Sequence, residues 1–181
     1  AGGTLISKST GVLSQLSQNG TEFTFDIGTH LYNDGSADQT NVLVNATVTD
    51  PSGTAVYNQN ITVASILAHD SVELYPGSAQ SFPAFSLATY PAGRYTLTYT
   101  VSLNGVADDY PADNSLTSQF VINDSIYGFS ALDTLTNLPT GGGGYRPSTM
   151  TASFSMCNVI SDPNASRIGV EGIYFSLVTN A

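Results

Sequence analysis

Residues 94–103 read RYTLTYTVSL, and this stretch decides the fold. Tyr95, Leu97, Tyr99, Val101 and Leu103 take every second position, with Arg94, Thr96, Thr98, Thr100 and Ser102 between them. A period of two puts the apolar set on one face of a strand and the hydroxyl set on the other. β-Branched threonine and aromatic tyrosine suit a pleated surface, and neither is a strong helix former. The same rhythm runs outward in both directions. Towards the amino terminus, Val42, Val44, Ala46 and Val48 alternate, and before them Phe23, Phe25 and Ile27, with Thr29 and Leu31 following in step. Towards the carboxyl terminus it continues through residues 115–122.

Turn chemistry cuts this rhythm into short pieces. Asp50-Pro-Ser-Gly combines a proline that presets φ with a glycine that supplies positive φ, so residues 42–48 and 55–62 read as a hairpin. Residues 33–38, NDGSAD, form a loop, Tyr75-Pro-Gly and Tyr90-Pro-Ala-Gly are breaks, and Asn104-Gly is a tight turn. Further strands are expected at 11–16, 22–32, 65–74 and 81–87, the last confined to a sheet edge by Pro83. About seven strands in roughly 120 residues is the scale of an immunoglobulin-like antiparallel β-sandwich. Residues 1–123 are therefore assigned to that sandwich. Residues 124–181 are assigned to the start of a second, partial β-domain, with a glycine run at 141–144 and strand candidates at 149–159 and 168–178. The chain is expected to be a fragment of a longer protein.

Composition narrows the function. Charged residues make up 10 % of the chain, against about 25 % in ordinary soluble domains. Fourteen acidic groups face four basic ones, Lys8, Arg94, Arg146 and Arg167, for a net charge of −10. Four scattered cations cannot displace phosphate counterions, which excludes nucleic acid and disfavours anionic membrane surfaces. No apolar run is long enough for a transmembrane helix. The single cysteine, Cys157, rules out an internal disulfide and sits in an apolar run as a buried thiol would.

Candidate chemistry is sparse. His30 and His69 have no nucleophile elbow beside them, and Glu22, Glu73 and Glu171 stand on separate strands. The chain is therefore read as non-catalytic. Asp108, Asp109, Asp113 and Asn114 form the best metal candidate, because calcium takes several oxygen ligands that a compact acidic loop can supply. Residues 34–38 are a weaker acidic loop. Tyr75, Tyr110 and Tyr145 lie in loops and could stack on a sugar ring. Five Asn-x-Ser/Thr sequons occur, at Asn19, Asn45, Asn60, Asn123 and Asn164. Asp-Ser/Thr-aliphatic triplets place candidate O-glycosylation at Ser71, Ser125 and Thr134.

Several of these motifs together resemble a known family. Asn33-x-Gly35 followed by Gln39-Thr-Asn-Val42, then Tyr90-Pro-Ala-Gly-Arg-Tyr95, the acidic loop 108–114 and the exit 120–127 resemble CARDB-like repeats of large secreted Bacteroidetes proteins. The resemblance covers roughly residues 12–128, and beyond it lies a weaker similarity to jelly-roll modules. It departs from the family's acidic loop at Ser115, where a second asparagine is usual. It implies type IX secretion and a place in the extracellular medium or on the outer cell surface, with no catalytic residues. The expected partners are the other domains of the same polypeptide and outer-membrane secretion or surface-anchoring proteins. A carbohydrate-binding accessory module, with glycans as partners, is the alternative.

Overall fold

The computed structural model describes residues 11–16, 22, 24–103, 108, 110–126 and 164–172. These residues form seven strands and one 3₁₀ turn, Ala165–Arg167. The strands are β1 (Gly11–Leu13), β2 (Thr29–Tyr32), β3 (Gln39–Thr49), β4 (Ala55–Ile66), β5 (Ser71–Leu74), β6 (Gly93–Leu103) and β7 (Ser115–Asn123). One sheet has the order β1-β7-β6-β3-β4, and the other pairs β2 with β5. All pairings are antiparallel except β1 on β7, which is parallel. Strand order and sheet membership match an immunoglobulin-like sandwich in which β3, β6 and β7 form the central sheet, β4 extends it, and β2 and β5 face it.

The alternation that decided the fold is the alternation observed. Tyr95, Leu97 and Tyr99 of β6 are buried, as are Val42, Val44, Ala46 and Val48 of β3. Their cross-strand neighbours Phe120 and Val63 join them. Phe25, Ile27, Leu31, Leu74, Phe82, Phe85 and Tyr90 close over the row from the other side. Phe25 lies 4.4 Å from Phe120, ring centre to ring centre, and Tyr95 stacks on Phe120 at 4.9 Å and 11°. Burying side chains of this size is worth about 1.5–3 kcal/mol each, before packing geometry is counted.

Two tyrosine hydroxyls tie polar backbone into this apolar interior. Tyr99 donates to the Gly28 carbonyl at 2.8 Å and accepts from the Gly28 N–H at 2.9 Å, so one hydroxyl satisfies both backbone groups of a residue on the opposite sheet's side. Burial raises the Tyr99 pKa well above the ordinary 10.0. Tyr95 donates back to the Pro91 carbonyl at 2.9 Å, the tyrosine corner typical of the strand that β6 occupies. Gly93, two residues earlier, has φ of +137°, and a Cβ there would come within 2.7 Å of Pro51. Tyr90-Pro-Ala-Gly-Arg-Tyr is thus one corner, packed on the Asp50-Pro-Ser-Gly turn of the β3–β4 hairpin.

Four expected strands come out differently. The expected strand 11–16 ends as β1 at Leu13, and residues 14–16 turn. The expected strand 22–32 is reduced to an isolated bridge, Phe25 to Phe85, and then β2 from Thr29. It is interrupted because the Gly28 backbone bonds the Tyr99 hydroxyl instead of a neighbouring strand. The expected strand 65–74 is split, since Ser65 and Ile66 finish β4. A turn then intervenes in which Asp70 N–H donates to the Leu67 carbonyl and His69 adopts φ of +59°. The expected strand 81–87 contributes only the bridge at Phe85, within a long connection through Pro76 and Pro83.

Among the described residues of 124–181, Asn164 and Arg167 reach back to residues 15, 16 and 22. Arg167 makes a two-pronged ion pair with Glu22 at 2.8 and 2.9 Å and donates to the Gln15 carbonyl at 3.2 Å. Residues 168–172 of the strand candidate 168–178 form no strand, and the rest of that candidate, the candidate 149–159 and Cys157 lie outside the described residues.

Replacing Tyr99 with phenylalanine keeps the ring and strands the Gly28 N–H and carbonyl. Urea unfolding is expected to show a loss of about 1–3 kcal/mol with unchanged m-value. A variant as stable as the parent would mean that Gly28 finds other partners.

Candidate functional site

The acidic loop leads from β6 to β7. Its carbonyl at Asn114 accepts from the Val101 N–H at 2.8 Å, which anchors the loop to β6. Within it, Asp108 Oδ1 accepts from the Tyr110 N–H at 2.8 Å and Asp108 Oδ2 accepts from the Asn114 side-chain amide at 2.9 Å. The backbone bond from Tyr110 and then the Asn114 amide hold the Asp108 carboxyl below its ordinary 3.8. Both oxygens are thereby engaged by donors of the loop itself. Asn114 turns its nitrogen, not its oxygen, towards the carboxylate, so it acts as a donor to Asp108. Asp113 N–H donates to the Tyr110 carbonyl at 3.3 Å, which closes the turn. Among the described residues no three or more His, Cys, Asp or Glu side chains converge as a metal group would require. Asp109 lies outside the described residues. Tyr110 stands at the tip of this loop, 76 % exposed.

The second acidic loop is organised by a residue whose role the sequence did not disclose. Asn33 is only 8 % exposed. Its amide donates to the carbonyls of Ala37, Ile66 and Leu67 at 2.9, 3.3 and 3.0 Å, and its Oδ1 accepts from the Gly35 N–H at 3.1 Å. Asp38 Oδ1 accepts from the Ala68 N–H at 2.9 Å. The Asn-x-Gly signature is therefore an Asx-turn that joins the β2–β3 loop to the β4–β5 turn. Asp50 plays the same part in its own hairpin. Its Oδ1 accepts from Ser52 N–H and Thr54 N–H at 2.9 Å each and from the Ser52 hydroxyl at 2.6 Å. The Ser52 hydroxyl, followed by these backbone bonds, lowers the Asp50 pKa from 3.8.

The remaining candidates are dispersed. Ser71 is half-buried at the start of β5, opposite Tyr32, and its N–H donates to Asp70 Oδ1 at 2.8 Å. Ser125 is exposed in the turn after β7, its N–H donating to Asn123 Oδ1 at 2.9 Å. Thr134 and Tyr145 lie outside the described residues. His30 Nδ1 is 3.1 Å from the Tyr32 hydroxyl, and its ring packs near Tyr75.

One surface emerges only when the sheet is assembled. The half of the alternation that faces away from the core carries Thr96, Thr98 and Thr100 on β6, with Ser115, Thr117 and Gln119 beside them on β7. Asn45 and Thr47 on β3 and Asn58 and Asn60 on β4 continue the same rows. Asn45 donates to Asn58 Oδ1 at 2.6 Å and to Asn60 Oδ1 at 2.7 Å, and Thr47 donates to Asn45 Oδ1 at 2.9 Å. The sequence held the signal in its polar positions, but only the strand register shows them to be contiguous.

No protein-family model and no curated protein matches the chain. Among solved structures, it is similar to one titled "Crystal structure of the C-terminal domain of wzt", at 15 % identity over 68 % of each chain and a TM-score of 0.29. A likeness of that strength carries neither fold nor ligand from one chain to the other.

Lowered carboxyl pKa values give the two turns a pH dependence of known sign. The unfolded chain binds protons at Asp50 and Asp108 before the folded chain does, so their contribution is present above pH 3.8 and is lost as pH falls through the lower folded values. Thermal melts between pH 5 and pH 3 are expected to show a smaller acid-induced drop for the double variant Asp50→Ala/Asp108→Ala than for the parent. Equal drops would place the acid-sensitive groups elsewhere.

Proposed function

We propose that this chain is a non-catalytic, extracellular β-sandwich module of a larger secreted or cell-surface protein, adhesin-like in role. It spaces or presents the other domains of its own polypeptide. The observation that carries this reading is the use to which polar groups are put. Asp50, Asp108, Asn33, Tyr95 and Tyr99, which elsewhere supply acids, bases or ligands, are each hydrogen-bonded into a turn or across the sandwich. The outward face of the larger sheet carries hydroxyls and amides almost without charge, a surface that remains hydrated and repels little.

The resemblance to CARDB-like repeats supports the same reading. It adds type IX export and contact with outer-membrane secretion or surface-anchoring proteins. Calcium at Asp108, Asp109, Asp113 and Asn114, and O-glycosylation at Ser71, Ser125 and Thr134, belong to the proposal in the same way. Ser125, exposed in its turn, is the described position most open to a modifying enzyme.

A second reading, a carbohydrate-binding accessory module, is favoured by Tyr110. Its ring is 76 % exposed, and its backbone N–H bonds the Asp108 carboxylate, so an aromatic face open to stacking stands in a loop that also carries a carboxylate.

Two measurements separate these readings. Protease treatment of intact producing cells is expected to release or cleave the chain, and protection until the cells are lysed would contradict an outer-surface location. A glycan array probed with the purified chain is expected to show no selective binding. Selective micromolar binding abolished by Tyr110→Ala would transfer the assignment to the carbohydrate-binding module.

A further inference from the structure

We propose that this module carries tension along its chain, and that the parallel pairing of β1 with β7 is the clamp that resists it. Every other strand pair among the described residues is antiparallel. β1 alone runs with its neighbour, Gly11 beside Val121, Val12 beside Ile122 and Leu13 beside Asn123. The consequence is mechanical. The chain arrives at β1 through Gly11 and departs from β7 through Asn123, at opposite ends of the same pair. Force between these two points runs along the strands and loads the evenly spaced bonds of the parallel pair together. An antiparallel partner would bring arrival and departure to one end, and the same force would open the bonds one at a time.

The fastening continues past the end of β1. Ser14 N–H donates to the Asn123 carbonyl at 2.8 Å, which extends the ladder by one bond. The Ser14 hydroxyl donates to the Asp124 carboxylate, and the Gln15 amide donates to the Asp124 carbonyl at 3.1 Å. Asn164 and Arg167 donate to the carbonyls of Leu16 and Gln15 at 3.4 and 3.2 Å, so two further parts of the chain hold residues 14–16 in place. The departing chain is secured as well. Asn123 Oδ1 accepts from the Ser125 and Ile126 N–H groups, and its amide donates to the Ile126 carbonyl at 3.1 Å.

β7 itself is seated more firmly. It pairs with β6 at eight positions, from Gly93 beside Ile122 to Thr100 beside Ser115, and it carries Phe120 and Ile122 of the core. The short β1 junction is therefore the first to give, and its strength sets the force at which the sandwich opens. Tension of this kind exists only where the chain links an anchor to other domains, which rests on the surface-module reading above. Protease access on intact cells tests that reading, and force measured on the purified chain tests the clamp alone.

Optical-trap unfolding of the whole chain in two directions provides that measurement. Handles at Thr10→Cys and Ser125→Cys pull along the pair. Handles at Thr10→Cys and Ala112→Cys, which is exposed ahead of β7, lift β1 from Gly11 onward. Both carry Cys157→Ser, so that only the handles react. Forced unfolding reads the rate of leaving the native state. At equal loading rate the first opening is expected at severalfold higher force along the pair than in the lifting direction. Ser14→Ala with Gln15→Ala removes the side-chain bonds to Asp124 and is expected to lower the force along the pair only. Val12→Pro takes a donor from the ladder and is expected to lower it further. If Val12→Pro does not fold, the double alanine variant carries the comparison, and thermal melts report whether each variant is folded. Equal opening forces in the two directions would overturn the proposal. So would a force along the pair that the folded variants leave unchanged.

Discussion

The sandwich depends on a hydroxyl that spans it. Tyr99 grows from the middle of the larger sheet and ends on the backbone of Gly28, just before the first strand of the smaller one. A polar backbone in that position would otherwise be buried with nothing to bond, at a cost comparable to several well-packed methylenes. Meeting it with one side chain fixes the distance between the layers at that point. It also explains the glycine. A Cβ at residue 28 would stand 2.7 Å from the Tyr75 ring and 2.9 Å from the Leu74 carbonyl. The aromatic group of Phe25, Phe85, Tyr95 and Phe120 then packs around a spacing already set.

The same economy governs the surface. With so few charges, the chain secures its turns with short polar side chains acting on nearby backbone. Asn33, Asp50 and Asp108 each hold a loop by accepting from the N–H groups that the loop leaves unpaired. The described residues of both acidic loops are held as turns by these bonds. What remains on the outside of the larger sheet is an ordered field of threonine, serine, asparagine and glutamine.

Much of this was legible before the structure. Strong alternation in 42–48 and 94–103 and the Asp50-Pro-Ser-Gly turn disclosed the β3–β4 hairpin and β6, because strands buried on one face must repeat with period two. Tyr90-Pro-Ala-Gly-Arg-Tyr could be recognised as a motif. Its cause, a tyrosine corner and a glycine wedged on Pro51, needed coordinates. The illegible parts are non-local. Nothing in residues 22–32 announces that Gly28 will be claimed by a tyrosine seventy-one positions away. The parallel seating of β1 on β7 and the reach of Arg167 to Glu22 likewise join ends of the chain that share no local pattern. At the acidic loop, sequence proximity placed Asp108 near Asn114, but not the direction of the Asn114 amide, which decides what the carboxylate can bind.

Native-state hydrogen exchange tests the central claim most directly. If the Tyr99 hydroxyl is the link between the sheets, the Gly28 amide opens only with the whole sandwich, and it will exchange as slowly as the slowest amides of β3 and β6. Exchange of Gly28 at the rate of the exposed loops, while β3 and β6 remain protected, would show that the sheets are held together without it.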